Sequence, residues 1–132
     1  RSTLFPYTTL FRSSTDHPYM SNTSSIIKFT LPGAVHLRIR FGADFNLEYG
    51  YDSFAIYQFD PQTNTFRLFE NKTFTGTDLA GQEIDIIGDM VLFRFEADSS
   101  IESYGWQIAD IQARFPEPAT EPESINTETS LE

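Results

Sequence analysis

Residues Gly33 to Asp60 read GAVHLRIRFGADFNLEYGYDSFAIYQFD. Val35, Leu37, Ile39 and Phe41 alternate with His36, Arg38 and Arg40. A period of two puts the apolar side chains on one face of a strand and the basic ones on the other. The alternation then stops, and LEYGYD carries the chain through a short turn flanked by Glu48 and Asp52. A second apolar run, SFAIYQF from Ser53 to Phe59, follows. The stretch is therefore read as strand, turn and strand.

The same pattern extends outward in both directions. Ile84 and Ile86 alternate with Glu83 and Asp85, and Val91, Phe93 and Phe95 alternate with Leu92 and Arg94. Further strand-like runs are IIKFTL (Ile26 to Leu31), NTFRLF (Asn64 to Phe69) and WQIADIQARF (Trp106 to Phe115). Turn signals separate them: Pro32-Gly33, DPQTN from Asp60, GTDLAG from Gly76 and Gly88-Asp89. No segment carries a helical period with caps, and there is no repeat. Many short strands at this spacing predict an all-β chain folded as a two-sheet antiparallel jelly-roll sandwich. In such a sandwich Phe41, Phe54, Phe93 and Phe95 face the partner sheet. Tyr49, Tyr51, Tyr104 and Trp106 stand beside turns and acids, where an amphipathic ring is often half exposed.

Composition sets the limits. The chain has 132 residues, enough for one domain, and its 13 phenylalanines supply large apolar surface for a core. It has no cysteine. That removes disulfides, thiol chemistry and cysteine-ligated zinc, and it favours a reducing compartment or a bacterial source. The net charge of −10 opposes nucleic-acid binding, which needs a basic face. No run is long and apolar enough to span a membrane.

The two ends differ from the middle. Thr3 to Ser13, TLFPYTTLFRS, resembles the in-frame translation of a common short-read sequencing adapter, so residues 1–13 are excluded from the expected fold as one would exclude a fusion scar. Residues 116–132, PEPATEPESINTETSLE, hold five acids and no base and have few large apolar groups; they are expected to be a disordered acidic tail or linker. The expected domain is 14–115, which keeps fourteen acids and seven bases, a net −7.

Three acids stand where the alternation breaks. Glu48 and Asp52 flank the LEYGYD turn, and Asp98 ends the run FRFEADSS. If the loops meet, the three carboxylates repel one another, and a hard divalent cation relieves that repulsion. Ser99, Ser100 or a nearby carbonyl can add oxygens. Spacing alone fits ordinary solvated turn acids equally well.

At this point the residues resemble a family. GAVHLRIRFGADFNLEYGYDSFAIYQFD is similar to the first half of a CUB domain: Gly-Ala, an alternating strand, an acid, then Tyr-Asp opening the next strand. MVLFRFEADSSIESYGWQI is similar to the second half, where an apolar strand ends in an acid and Gly plus an aromatic opens the last strand. DHPYMSNTSSIIKFTLPGA resembles the His-Pro-Tyr, Asn, Pro-Gly-Ala signature of cysteine-free CUB-like domains, found in large intracellular eukaryotic proteins and in microbes. The resemblance covers nearly all of Asp16 to Phe115. It implies a non-catalytic binding module, often with one calcium ion at one end of the sandwich. By motif, Glu48, Asp52 and Asp98 match the acidic ligands, Ser100 a further oxygen donor, and Tyr19 the tyrosine that supports the first acid. The chain departs from extracellular members in lacking their disulfides, and its Glu48–Asp52 loop is short.

The implied partner is a protein presenting basic side chains to the acidic, calcium-ordered loops, with Tyr49, Tyr51 and Tyr104 as contact residues. A calcium-dependent carbohydrate-binding module using those rings or Trp106, and a structural spacer in a multidomain chain, are the alternatives. Neither nucleic acid nor membrane is an expected partner. No enzyme is expected. The two histidines, His17 and His36, read as part of a structural turn and as a residue on the polar face of a strand, and no nucleophile elbow, zinc-binding helix or phosphate loop occurs. Two N-glycosylation patterns, at Asn22 and Asn71, leave localisation open.

Overall fold

The structure, a computed structural model, describes residues 8–14, 17, 20–99 and 103–116. Eight strands make up the described part: β1 (Thr8–Ser14), β2 (Ser24–Thr30), β3 (His36–Phe41), β4 (Ser53–Asp60), β5 (Thr65–Leu68), β6 (Glu83–Ile87), β7 (Met90–Glu96) and β8 (Gln107–Arg114). The only helical element among the described residues is a 3-10 turn, Phe69–Asn71. The strands form two antiparallel four-stranded sheets, ordered β1-β8-β3-β6 and β2-β7-β4-β5. The expected all-β, two-sheet antiparallel sandwich is what the chain forms. No helix among the described residues is long and apolar enough to cross a membrane.

Alternation explains which side chains meet. The first sheet turns Leu37, Ile39 and Phe41, Ile84 and Ile86, and Ile108, Ile111 and Ala113 inward. The second answers with Phe54 and Ile56 and with Val91, Phe93 and Phe95, all buried, flanked by half-buried Ile27 and Phe29. Phe54 lies at the centre. Its ring meets Phe41 of the opposite sheet and Phe45 edge-on, at 5.8 and 5.4 Å, and packs tilted against Trp106 at 5.5 Å. Such edge-to-face pairs add about 0.5–1.5 kcal/mol each beyond area burial.

Two features depart from simple alternation. In β8, Ile108 and Ile111 both face inward although three residues apart. A bulge between them explains this, because Arg40 pairs with Asp110 while Phe41 pairs with Ile108. Gly42, next to that bulge, packs so closely that a Cβ there would lie 2.0 Å from Gln107 Oε1. Only glycine fits.

The adapter-like stretch also differs from expectation. The sequence reading begins the domain at Ser14, whereas β1 starts at Thr8 and pairs with the edge of β8. The physical reason is that an antiparallel edge offers unpaired N–H and C=O groups to any extended segment. The register slips twice within β1, between Thr9 and Phe11 and between Phe11 and Ser13. Most of the acidic tail, residues 117–132, lies outside the described residues.

The two sheets differ on their outer faces. On the first, Arg38 Nε donates to Asp85 Oδ1 at 2.9 Å, with Glu83 at 3.9 Å. His36 Nε2 lies 3.4 Å from the same Asp85 oxygen, and Arg40 pairs with Asp110 at 3.7 Å. The hydrogen bond from Arg38 holds the Asp85 carboxyl below its usual range against the opposing effect of burial; the charges of Arg38 and His36 add to the lowering. On the second sheet, Val91, Phe93 and Phe95 point inward, so Met90 and Leu92 point out. Register places Leu92 beside Tyr57 and Tyr57 beside Leu68, with Phe59 opposite Phe66. This part of the face is apolar, and the Arg94–Glu96 pair and Lys28 stand beside it.

Candidate functional site

Glu48, Asp52 and Asp98 converge at one end of the sandwich. One carboxylate oxygen from each lies within 4.8 Å of the others. The convergence follows from register. β4 and β7 run antiparallel with Ser53 opposite Glu96, so Asp52, just before β4, and Asp98, just after β7, leave neighbouring strand ends. Glu48 is brought in by the turn. Tyr51 N–H and Asp52 N–H both donate to Glu48 O, at 3.2 and 3.1 Å. Gly50 takes φ +80° within that turn, a left-handed conformation that suits glycine.

Asp52 is the buried member, 1% exposed. Its Oδ1 accepts from Asp98 N–H at 2.8 Å, which locks the two acidic loops together. Asp98 O in turn accepts from Asn22 N–H at 2.7 Å, and Ala97 N–H donates to Thr23 O. Glu48 and Asp98 are half-buried.

Thr75 is the residue that sequence reasoning missed. Its hydroxyl donates to Asp52 O at 2.8 Å, with Glu48 O at 3.2 Å, and accepts from Gly50 N–H at 2.9 Å. One side chain thus ties both ends of the acidic turn. Asp78 Oδ2 accepts from Thr75 N–H at 3.0 Å and fixes it in place. A threonine in the run NKTFTGTD carries no signal that separates it from its neighbours; only the fold brings it beneath the turn.

The remaining expected residues divide. Tyr49 and Tyr51 are 76% and 70% exposed on the turn between Glu48 and Asp52. Tyr104 is half-buried and stacks on His17, ring centroids 3.8 Å apart, while His17 Nδ1 donates to Tyr104 O at 2.8 Å. Trp106 is buried in the core, so it is unavailable as a stacking platform. Tyr19 and Ser100 lie outside the described residues. His36 sits on the polar face of β3, between Asp85 and the Arg114 guanidinium.

The donor set suits a hard cation. Oxygens bound to one calcium at about 2.3–2.6 Å lie up to about 5 Å apart. The three carboxylates therefore need little rearrangement to share an ion, and they can hold one.

No family model matches the chain. It is 30% identical over 91 residues to the human protein "Zinc finger ZZ-type and EF-hand domain-containing protein 1", a match covering 69% of this chain and 3% of that protein. The mouse protein of the same name matches at the same identity and coverage. The chain thus spans about 3% of the length of these curated relatives. Among solved structures, the full extracellular region of zebrafish Gpr126/Adgrg6 superposes with a TM-score of 0.62 at 18% identity, over 80% of this chain and 13% of that one. That likeness is one of fold: the chain has the form of a β-sandwich that also occurs within a much longer polypeptide.

Proposed function

We propose that the chain is a non-catalytic, CUB-like binding module whose acidic end takes up one calcium ion and, once ordered by it, binds a basic side chain of a protein partner. The observation that carries this reading is the meeting of Glu48, Asp52 and Asp98, with ligand oxygens within 4.8 Å. Three carboxylates so close favour a divalent cation, which offsets their mutual repulsion. Glu48, Asp52 and Asp98 would supply the ligands, while Thr75 and the Asp98 N–H hold the turn and Asp52 in place. One negative charge remains after the ion is bound, enough to attract a lysine or arginine. Tyr49 and Tyr51, exposed at the rim, would flank that side chain. The small share of the relatives that the chain covers supports a module serving within a larger protein.

A carbohydrate-binding reading has less support. It needs a flat platform of exposed rings, and of the four candidates Trp106 is buried and Tyr104 is stacked on His17.

Calorimetric titration of the full chain with calcium tests the proposal. One ion should bind, with an affinity in or tighter than the roughly 10⁻⁴–10⁻³ M range of extracellular calcium modules. A synthetic peptide with a single lysine should then bind the calcium-loaded chain, and its acetyl-lysine counterpart should not. No heat of binding up to about tenfold above that range would sink the calcium reading. Calcium binding with equal affinity for both peptides would sink the basic-partner reading alone.

A further inference from the structure

The first sheet ends at β6 on an open edge. Phe41 N–H donates to Gln82 O and Gly88 N–H donates to Val35 O, both at 2.9 Å. With Ile39 opposite Ile84 and Leu37 opposite Ile86, these bonds fix the phase of the ladder. Bonded residues alternate along an antiparallel pair, so the backbone groups of Ile84 and Ile86 turn to β3 and those of Glu83, Asp85 and Ile87 turn away from it. Among the described residues no strand lies on that side, and no backbone bond reaches those three residues from it. Their N–H and C=O groups recur at two-residue spacing over about 14 Å, which is a template for one more strand.

A groove of about 430 Å³ runs along this edge, shared by β6 and the segment that follows β5. Buried Phe74, Leu79 and Ile84 give it an apolar floor. Its polar lining is acidic: the carboxylates of Glu70, Asp78, Glu83 and Asp85 against the single base Lys72. The Lys72 Nζ is turned onto the Phe74 ring, 5.1 Å from its centroid. Arg38 serves Asp85 and Glu83 from the outer face, while Glu70 and Asp78 join no ion pair among the described residues. The open backbone and the excess of carboxylates thus lie side by side, and both sets of groups are matched by a cationic extended chain.

We propose that the β6 edge takes up an extended segment of a partner protein as a fifth strand of the first sheet, and that this segment alternates basic and apolar residues. The main-chain bonds supply affinity and the alternate side chains specificity. The phase of the ladder sets the pattern. Residues opposite Glu83 and Asp85 share their outer face, where a lysine or arginine meets a carboxylate across the ladder, an arrangement that stabilises strand pairing. Residues opposite Ile84 and Ile86 point inward, where apolar side chains meet the groove floor. The same rule counts against a second copy of the chain. Two β6 edges paired antiparallel about Asp85 would set Asp85 against Asp85, in chains of net charge −10. The edge needs no metal, so it stands apart from the calcium reading of the acidic end.

The test uses the full chain in chelator and a synthetic peptide of alternating Lys and Val, about seven residues long so that it spans β6. Fluorescence anisotropy should show saturable binding, and hydrogen exchange followed by nuclear magnetic resonance should show the Glu83, Asp85 and Ile87 N–H groups newly protected. The same peptide N-methylated at alternate residues, on the side that meets β6, should bind at least about tenfold more weakly, and so should the unmodified peptide to a Glu83→Lys, Asp85→Lys chain. Lys28→Glu, on the second sheet, should leave affinity unchanged. Near-ultraviolet circular dichroism checks that the double variant folds; if it does not, the N-methylated peptide on the wild-type chain decides. No binding, equal binding of the N-methylated peptide, or protection away from β6 would overturn the proposal. Binding lost in Asp98→Ala but kept in the charge-reversed chain would also overturn it, since that assigns the basic peptide to the acidic end. So would a dimer in sedimentation equilibrium that Asp85→Lys dissolves, since that assigns the edge to a second copy.

Discussion

On the first sheet, the residues turned from the core are His36, Arg38, Arg40, Glu83, Asp85 and Asp110, and they pair with one another across strands. On the second, the corresponding positions include Tyr57, Phe59, Phe66, Leu68, Met90 and Leu92, with Lys28, Arg94 and Glu96 on the same face. Both sheets obey the same alternation and share one core, built around Phe54. They differ in what their outer rows face. Cross-strand ion pairs let the first sheet stand in water, where each pair contributes little, about 0–1 kcal/mol, but keeps the face soluble. The second sheet has fewer: the Arg94–Glu96 pair, the Arg67–Asp60 pair at one end, and Lys28 beside the Phe66 ring. Alternation thus builds the sandwich, and the identity of the outward residues decides how each face meets solvent.

Substitutions can break this comparison at its strongest point. Phe54→Ala removes the ring that joins the two sheets and should cost about 3–5 kcal/mol in urea unfolding. Leu92→Ala on the outer face should cost less than about 1 kcal/mol, because the side chain already meets solvent. A Leu92→Ala cost near that of Phe54→Ala would mean that the second sheet's outer face is core, and the contrast would fall.

Two carboxylates sharpen it further. Asp52 is buried and holds the Asp98 N–H, so Asp52→Ala in calcium-free buffer should destabilise by about 1–3 kcal/mol, the cost of leaving a buried donor unsatisfied. Thr75→Val, which removes the ties to Gly50, Asp52 and Glu48, should cost about 1 kcal/mol and weaken calcium binding in titration. Asp85 should give the smallest effect. Its folded pKa is depressed, so its contribution is present above the unfolded value near 3.8 and is lost as pH falls through the lower folded value. The side chain is 48% exposed, and solvent screening keeps the contribution below about 1 kcal/mol. Wild type should therefore lose a small increment of stability below about pH 4 that Asp85→Asn does not. Equal acid sensitivity in the two would contradict the pairing.

Much of this was legible in the sequence. Leu37, Ile39 and Phe41, Ile84 and Ile86, and Val91, Phe93 and Phe95 announce buried faces by alternation alone. β8 is less plain, because the bulge between Ile108 and Ile111 breaks the period. The resemblance of residues 3–13 to a translated adapter is a property of codons, and it leaves an extended segment free to pair with the open edge of β8. The acidic trio was visible as three acids at strand ends, but its meeting depends on the register of β4 against β7, a long-range property. Thr75 and the stacking of His17 on Tyr104 join segments distant in the chain and carry no local signature. The apolar outer face was hidden within SFAIYQF, where a nearly continuous apolar run does not tell which residues point inward.

The central claim is that the acidic end holds calcium, and thermal unfolding of the full chain in chelator and then in millimolar calcium tests it most directly. An ion that binds only the folded state, at about 100 times its dissociation constant, stabilises by about 2.7 kcal/mol. For a domain of about 100 residues that raises the midpoint by more than roughly ten degrees. The account predicts such a rise in the wild-type chain and its loss in Asp98→Ala; an unchanged midpoint at every calcium concentration would contradict it.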